Sequence, residues 1–147
     1  MSSVTGHIGI NVTDLARSQQ FYTEVFGLQH LGGSPGGERR FAFLGRGEQV
    51  VVTLWEQGRG KFDPRIPGLH HLSFQADSME EVSGFEARLK ARGAKFFYEG
   101  IVPHAEGRAS GGIFFEDPDG VRLEIFAASG AEHAHAPSGE APSCGFF

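Results

Sequence analysis

Sulfur and large polar aromatics are scarce in this chain: one cysteine (Cys144), two methionines, one tryptophan and two tyrosines in 147 residues. A single cysteine excludes an internal disulfide and a zinc site built from thiolates. No apolar run approaches the roughly 18–20 residues needed to span a bilayer. Met1-Ser2-Ser3-Val4-Thr5 shows no basic region followed by an apolar stretch, so a cytoplasmic protein with no membrane partner is expected. Basic residues number 13 against 18 acidic, a net charge of −5 without any basic cluster. Nucleic acid is therefore not an expected partner. Proline is limited to seven residues and hydrophobic content is 39%, which fits a folded chain able to bury a sizeable core.

What the chain does have is glycine and phenylalanine, 22 and 14 residues respectively, and an internal repeat. His7-Ile8-Gly9-Ile10-Asn11-Val12 resembles His71-Leu72-Ser73-Phe74-Gln75-Ala76 at an offset of 64, which also pairs Leu15 with Met79, Phe21 with Phe85 and Val25 with Leu89. Each copy alternates with period two and then changes to helical spacing, predicting a strand followed by a helix. The first helix is expected from an Asp14 cap to Phe26, with Gly27 as terminator. The second opens on the capping box Ser78-Met79-Glu80-Glu81 and ends near Gly93.

Strand signals return after each helix, at 40–44 and 50–55 in the first unit and at 112–115 and 121–126 in the second. Glu116-Asp117-Pro118-Asp119-Gly120 fits a type I turn between the last two. Weaker strands are expected at 29–32 and 95–98, so each unit reads β-α-β-β-β. Residues 32–37 and 58–67 read as loops, and from 129 onward the composition is that of a tail containing His133-Ala134-His135 and Cys144.

Alternation sorts each strand into two faces. Ile8, Ile10 and Val12 oppose His7, Gly9 and Asn11; Leu72, Phe74 and Ala76 oppose His71, Ser73 and Gln75. Val121, Leu123 and Ile125 oppose Arg122, Glu124 and Phe126. An outward sheet face would carry several Lys, Glu or Thr residues. Small residues with one histidine per strand suit a cavity wall. Two histidines and a carboxylate are the residue types of a facial metal set that leaves coordination positions open. A strand histidine is more often structural, but equivalent histidines in both repeats favour the metal reading.

Three segments carry a family resemblance. Gly6-His7-Ile8-Gly9-Ile10-Asn11-Val12-Thr13-Asp14 with Phe21-Tyr22 and Phe26-Gly27-Leu28 forms one opening, and Leu69-His70-His71-Leu72-Ser73-Phe74 the other. Phe114-Phe115-Glu116-Asp117-Pro118-Asp119-Gly120-Val121-Arg122-Leu123-Glu124 forms the closing hairpin. Together, over about residues 6–127, these resemble the vicinal oxygen chelate superfamily of glyoxalases, bleomycin-resistance proteins and type I extradiol dioxygenases. The resemblance implies an α+β fold of two tandem βαβββ units (about 5–60 and 69–128, with a tail over 129–147) forming a cup-shaped mixed sheet. It also implies a homodimer and a ligand set of His7, His71 and Glu124. His71 is chosen over His70 because it keeps the phase of His7, and His70 is expected to face the other way.

Departures from the family pattern bear on the reaction. Four-ligand members carry Glu or Gln in the last strand of the first unit, where this chain has Thr53; Glu56 is expected on the opposite face. The tyrosine typical of extradiol dioxygenases is replaced by Phe114, and an upstream histidine is matched only loosely by His104. The expectation is a metal-dependent enzyme, lyase/isomerase- or dioxygenase-like, using one divalent ion (Fe, Mn, Ni or Zn) as Lewis acid on a small molecule with adjacent oxygens. Thr53, Trp55, Ser73, Phe114 and Arg122 are candidate substrate contacts, and His104 and Glu106 candidate acid/base residues. The alternative is a ligand-binding or antibiotic-sequestering resistance protein of the same fold without catalysis.

Overall fold

In the computed structural model, which describes residues 1–137, both helices start and stop where their capping residues dictate. Cys144 and the closing Phe146-Phe147 of the expected tail lie outside the described residues. The chain divides into two compact units, Met1–Lys61 and a second that begins at Phe62. The first contains β1 (Ile8–Val12), α1 (Leu15–Phe26), β2 (Gln29–Ser34), β3 (Phe41–Arg46) and β4 (Gln49–Glu56). The second contains β5 (Leu72–Gln75), α2 (Met79–Ala91), β6 (Val102–Pro103), β7 (Gly111–Glu116) and β8 (Arg122–Ala127).

Asp14 sits in extended backbone and its carboxylate accepts the Arg17 amide at 3.0 Å. Gly27, at φ 65°, ends α1 in the left-handed region that glycine enters without a Cβ penalty. In α2, Ser78 Oγ accepts the Glu81 amide while Glu81 Oε2 accepts the Asp77 amide, so the capping exchange closes one residue before the cap.

The sheets repeat one topology. In the first unit the strand order is β1-β4-β3-β2, in the second β5-β8-β7-β6, each four-stranded. β1 runs parallel to β4 and β5 parallel to β8, while the remaining pairs are antiparallel. Helix α1 packs on β3 and β4, and α2 on β7 and β8. Of the apolar faces expected from alternation, Ile10 and Val12 are buried and Ile8 is half-buried in the first unit, where Leu44, Leu54, Phe21, Tyr22 and Phe26 are buried as well. In the second unit Leu72, Ala76, Val121, Leu123 and Ile125 are buried and Phe74 is half-buried, and Ile113, Val82, Phe85 and Leu89 are buried as well.

One expected strand is broken. Residues 95–98 do run beside β7, where Lys95 O accepts the Glu116 amide and the Phe97 amide donates to Phe114 O. Only an isolated bridge, Phe96 to Phe115, qualifies as pairing there. The edge then leaves the sheet through Gly100, at φ 73°, and returns as the two-residue β6 against Gly111 and Gly112.

The β7–β8 turn has the expected form. The Gly120 amide donates to Asp117 O at 3.0 Å, and Asp117 Oδ1 accepts the amides of Asp119 and Val121 at 2.9 Å. Beyond β8 the chain turns back onto the 104–110 loop: the Ala131 amide donates to Ala109 O, and Ala131 is buried. Glu106 completes the attachment, with Oε2 accepting the Ala136 amide at 2.9 Å and Oε1 lying 3.1 Å from His135 Nδ1. No helix among the described residues is long and apolar enough to cross a membrane.

Two measurements check this fold. A Cβ on Gly112 would lie 2.0 Å from Ile125 O, backbone of the neighbouring strand that has nowhere to retreat. Gly112→Ala should therefore cost about 3 kcal/mol in urea unfolding, the upper end of the overpacking range, or prevent folding. The Ala136 amide, and secondly His135, hold the Glu106 carboxyl below its ordinary 4.5. A carboxyl so depressed stabilises the attachment above about pH 4.5 and loses that contribution as pH falls through its lower folded value. The Ala136 amide resonance should titrate with a midpoint below 4.5, and Glu106→Ala should abolish that response.

Candidate functional site

Strand register places the candidate residues in matching rows. In the second unit Ser73 on β5 pairs with Glu124 on β8, which pairs with Phe114 on β7. In the first unit the corresponding row is Gly9, Thr53 and Phe43. Thr53 is thus the register equivalent of Glu124, and it stands where the family resemblance places a fourth ligand in other members. The next rows are Gln75, Phe126 and Gly112 in one unit and Asn11, Trp55 and Phe41 in the other.

Glu124 is the chemical centre of the second unit. Its side chain is 4% exposed, and burying a carboxylate demands compensating partners. Those partners are imidazoles. Oε1 meets His104 Nε2 at 2.5 Å, and Oε2 faces His71 Nε2 at 3.7 Å, beyond hydrogen-bond range. His104 Nδ1 in turn lies 2.9 Å from Ser110 Oγ. A carboxylate oxygen only accepts, so the Nε2 of His104 carries the proton given to Glu124; a neutral ring then takes the Ser110 hydroxyl proton on Nδ1.

His71 stands immediately before β5, as His7 stands immediately before β1. Burial is the largest influence on His71 and pulls its pKa down from 6.5, with Glu124 opposing and His70 and Arg122 adding to the fall. A neutral imidazole is the ligating form. His70 does not face away: its Nδ1 is 2.8 Å from His71 Nδ1, with the rings at 78° to each other. This bond occupies His71 Nδ1 and turns Nε2 toward Glu124. The alternation rule failed because both histidines precede the strand, where no ladder enforces period two.

The remaining candidates divide. Arg122 stacks over the Phe97 ring at 5.8 Å and is among the charges felt by His71. Ser73 is exposed on the Glu124 row. Phe114 is 1% exposed and packs with Val102 and Tyr98, so it walls Glu124 from within the core. Glu106 has both carboxylate oxygens committed to 135–136, away from the Glu124 cluster. Ser110 carried no motif or periodicity in the sequence, and its role emerges only from the fold.

In the first unit, Thr53 is buried and its Oγ1 accepts the Trp55 indole N–H at 3.0 Å. Trp55 is 37% exposed and stacks on Phe41, with ring centroids 5.0 Å apart. His7, Phe43, Val50, Thr53 and Trp55 line an open cavity of about 200 Å³. Glu56 points to the other face as expected, where Oε2 accepts the Leu15 amide at the α1 start and Oε1 pairs with Arg40, both at 2.7 Å. That carboxylate is spent on the helix and does not stand in for a ligand at Thr53.

As the side chains stand, no three His, Cys, Asp or Glu groups among the described residues are set to hold a metal ion together. Chemically, His71 and Glu124 fit a divalent cation, offering an imidazole whose burial favours the neutral form and a carboxylate whose Oε2 accepts no hydrogen bond among the described residues. His7, the third expected donor, opens β1 of the first unit.

Known proteins share this arrangement of elements. The family model described as glyoxalase/bleomycin resistance protein/dioxygenase superfamily matches residues 5–125. Lactoylglutathione lyase of Salmonella typhimurium is 30% identical over 135 residues, covering 85% of this chain and 93% of that protein. A glyoxylase/bleomycin resistance protein/dioxygenase domain from Frankia sp. EAN1pec aligns with TM-score 0.75 at 29% identity, over 92% of this chain and 98% of that one. The fosfomycin resistance protein FosX of Listeria monocytogenes, solved with Mn(II) and sulfate, aligns with TM-score 0.65 at 26% identity, over 90% and 98%. The chain therefore belongs to the glyoxalase/bleomycin resistance protein/dioxygenase superfamily.

Proposed function

We propose that the protein is a metal-dependent enzyme acting on a small molecule with two adjacent oxygens, its ligands being His7, His71 and Glu124. The observation that carries this reading is the buried Glu124, whose Oε2 faces the neutral His71 instead of a structural cation. When bound, a divalent ion supplies Lewis-acid stabilisation of negative charge developing on the substrate oxygens. Support comes from the Mn(II) present in the FosX relative and the lyase activity named for the Salmonella relative.

The chain's own residues then have distinct tasks. Trp55 and Phe43 offer an apolar surface for the organic part of the substrate beside His7, and Thr53 fixes the indole through its hydroxyl. Burial lowers the pKa of His71 and so favours the neutral imidazole, the form that binds a metal ion. Ser73 on the Glu124 row and Arg122 near His71 orient the polar end of the substrate. With threonine at position 53, this chain would offer a metal ion no carboxylate ligand from β4 there, so the holding residues would be His7, His71 and Glu124. A cytoplasmic homodimer is the assembly proposed.

Protein purified without an affinity tag should contain close to one equivalent of Fe, Mn, Ni or Zn by elemental analysis. His7→Ala, His71→Ala and Glu124→Ala should each lose the metal while keeping the fold by circular dichroism. A fully folded, metal-free protein whose ligand binding ignores His7→Ala would instead be a sequestering protein without catalysis. Trp55 is the chain's one tryptophan, so emission from it should change on adding a vicinal-oxygen ligand to the metal-loaded protein. Light scattering should give twice the monomer mass.

A further inference from the structure

We infer that His104, oriented by Ser110, is a positioning residue that ties down one oxygen of Glu124 and leaves the other as its single ligating atom. The inference rests on the metal reading above. Three observations carry it. First, both ring nitrogens of His104 are engaged within the protein, Nε2 with Glu124 Oε1 and Nδ1 with Ser110 Oγ. No lone pair remains on the ring to ligate an ion or to take a proton from a substrate while these bonds persist.

Second, the bond selects between the two oxygens of Glu124. Oε1 is held by His104, and Oε2 is the one that faces His71. A carboxylate so tied is directed to bind an ion through Oε2 alone, in place of chelating it through both oxygens. Third, packing alone does not hold the ring. His104 meets Phe126 and Phe114, with ring centroids at 5.3 and 6.3 Å, and it also lines an open cavity of about 230 Å³ with Ala105, Arg108 and Ser110. The Ser110 hydroxyl supplies the orientation that packing leaves unspecified.

Titration of the full chain with Mn(II), following free Mn(II) by electron paramagnetic resonance, tests the inference, with Glu124→Ala setting the background. His104→Ala should weaken site-specific Mn(II) binding about 10- to 100-fold, the usual effect of removing a partner that orients a ligand. His104→Gln, whose amide nitrogen falls near the position of Nε2, should recover most of that affinity. His104→Asn mimics Nδ1 and should not. Ser110→Ala should lose less than His104→Ala. A purely structural role for His104 would not distinguish Gln from Asn.

Unchanged Mn(II) affinity in His104→Ala, with wild type binding and Glu124→Ala not, overturns the inference and leaves the metal reading standing. Wild type that binds no more Mn(II) than Glu124→Ala overturns the metal reading itself. Should His104→Ala fail to fold, the comparison of Gln with Asn and the Ser110→Ala affinity decide the matter: equal affinities in all three and wild type would overturn it.

Discussion

A carboxylate buried at the centre of a sheet sets the terms for the second unit. Glu124 sits between Ser73 and Phe114 in register, where a charged group survives only if the neighbouring elements supply polar partners. The loop before β7 brings His104, the approach to β5 brings His71, and Ser110 and His70 orient those two rings. Two segments thus supply the rings that face one carboxylate and the side chains that orient those rings. The short β6 and the interrupted edge before it bring the 104–110 loop to the end of β7, because β6 ends at Pro103 just before His104.

The first unit shows what the same topology does without that burden. Its equivalent row carries a threonine, and the hydroxyl is satisfied by a neighbouring indole at 3.0 Å. Aromatic rings fill the rest of that face, Phe41, Phe43 and Trp55 in mutual contact. Duplicated architecture has therefore been divided between two kinds of surface: one polar and rich in histidine, the other aromatic and exposed.

Local rules made much of this legible from the residues alone. Helix ends follow from Asp14, Gly27 and Ser78 because capping is decided within a few residues, and the buried strand faces follow from alternation. Register equivalence of Thr53 with Glu124 lies outside the offset of 64 that relates the opening strands, and the strand pairing supplies it. Contacts made across loops were not readable in this way. Nothing local indicates that Ser110 meets His104, that Glu106 fastens residues 135–136, or that His70 bonds His71. Those pairings depend on where irregular backbone goes, and irregular backbone has no period. The segment 95–98 lies between these cases, since its composition favours a strand while Gly100 takes the edge out of the sheet.

Glu56 has a consequence for how such a protein changes over time. Its carboxylate anchors the start of α1 and pairs with Arg40 from the face of β4 opposite Thr53. Structural and chemical duties on that strand are thus separated by its pleat. Substitutions at 53 or 55 alter the aromatic face of β4 without touching the contacts that hold the helix. The pleat thus gives one strand two independent sides, so a change on one leaves the anchoring on the other in place.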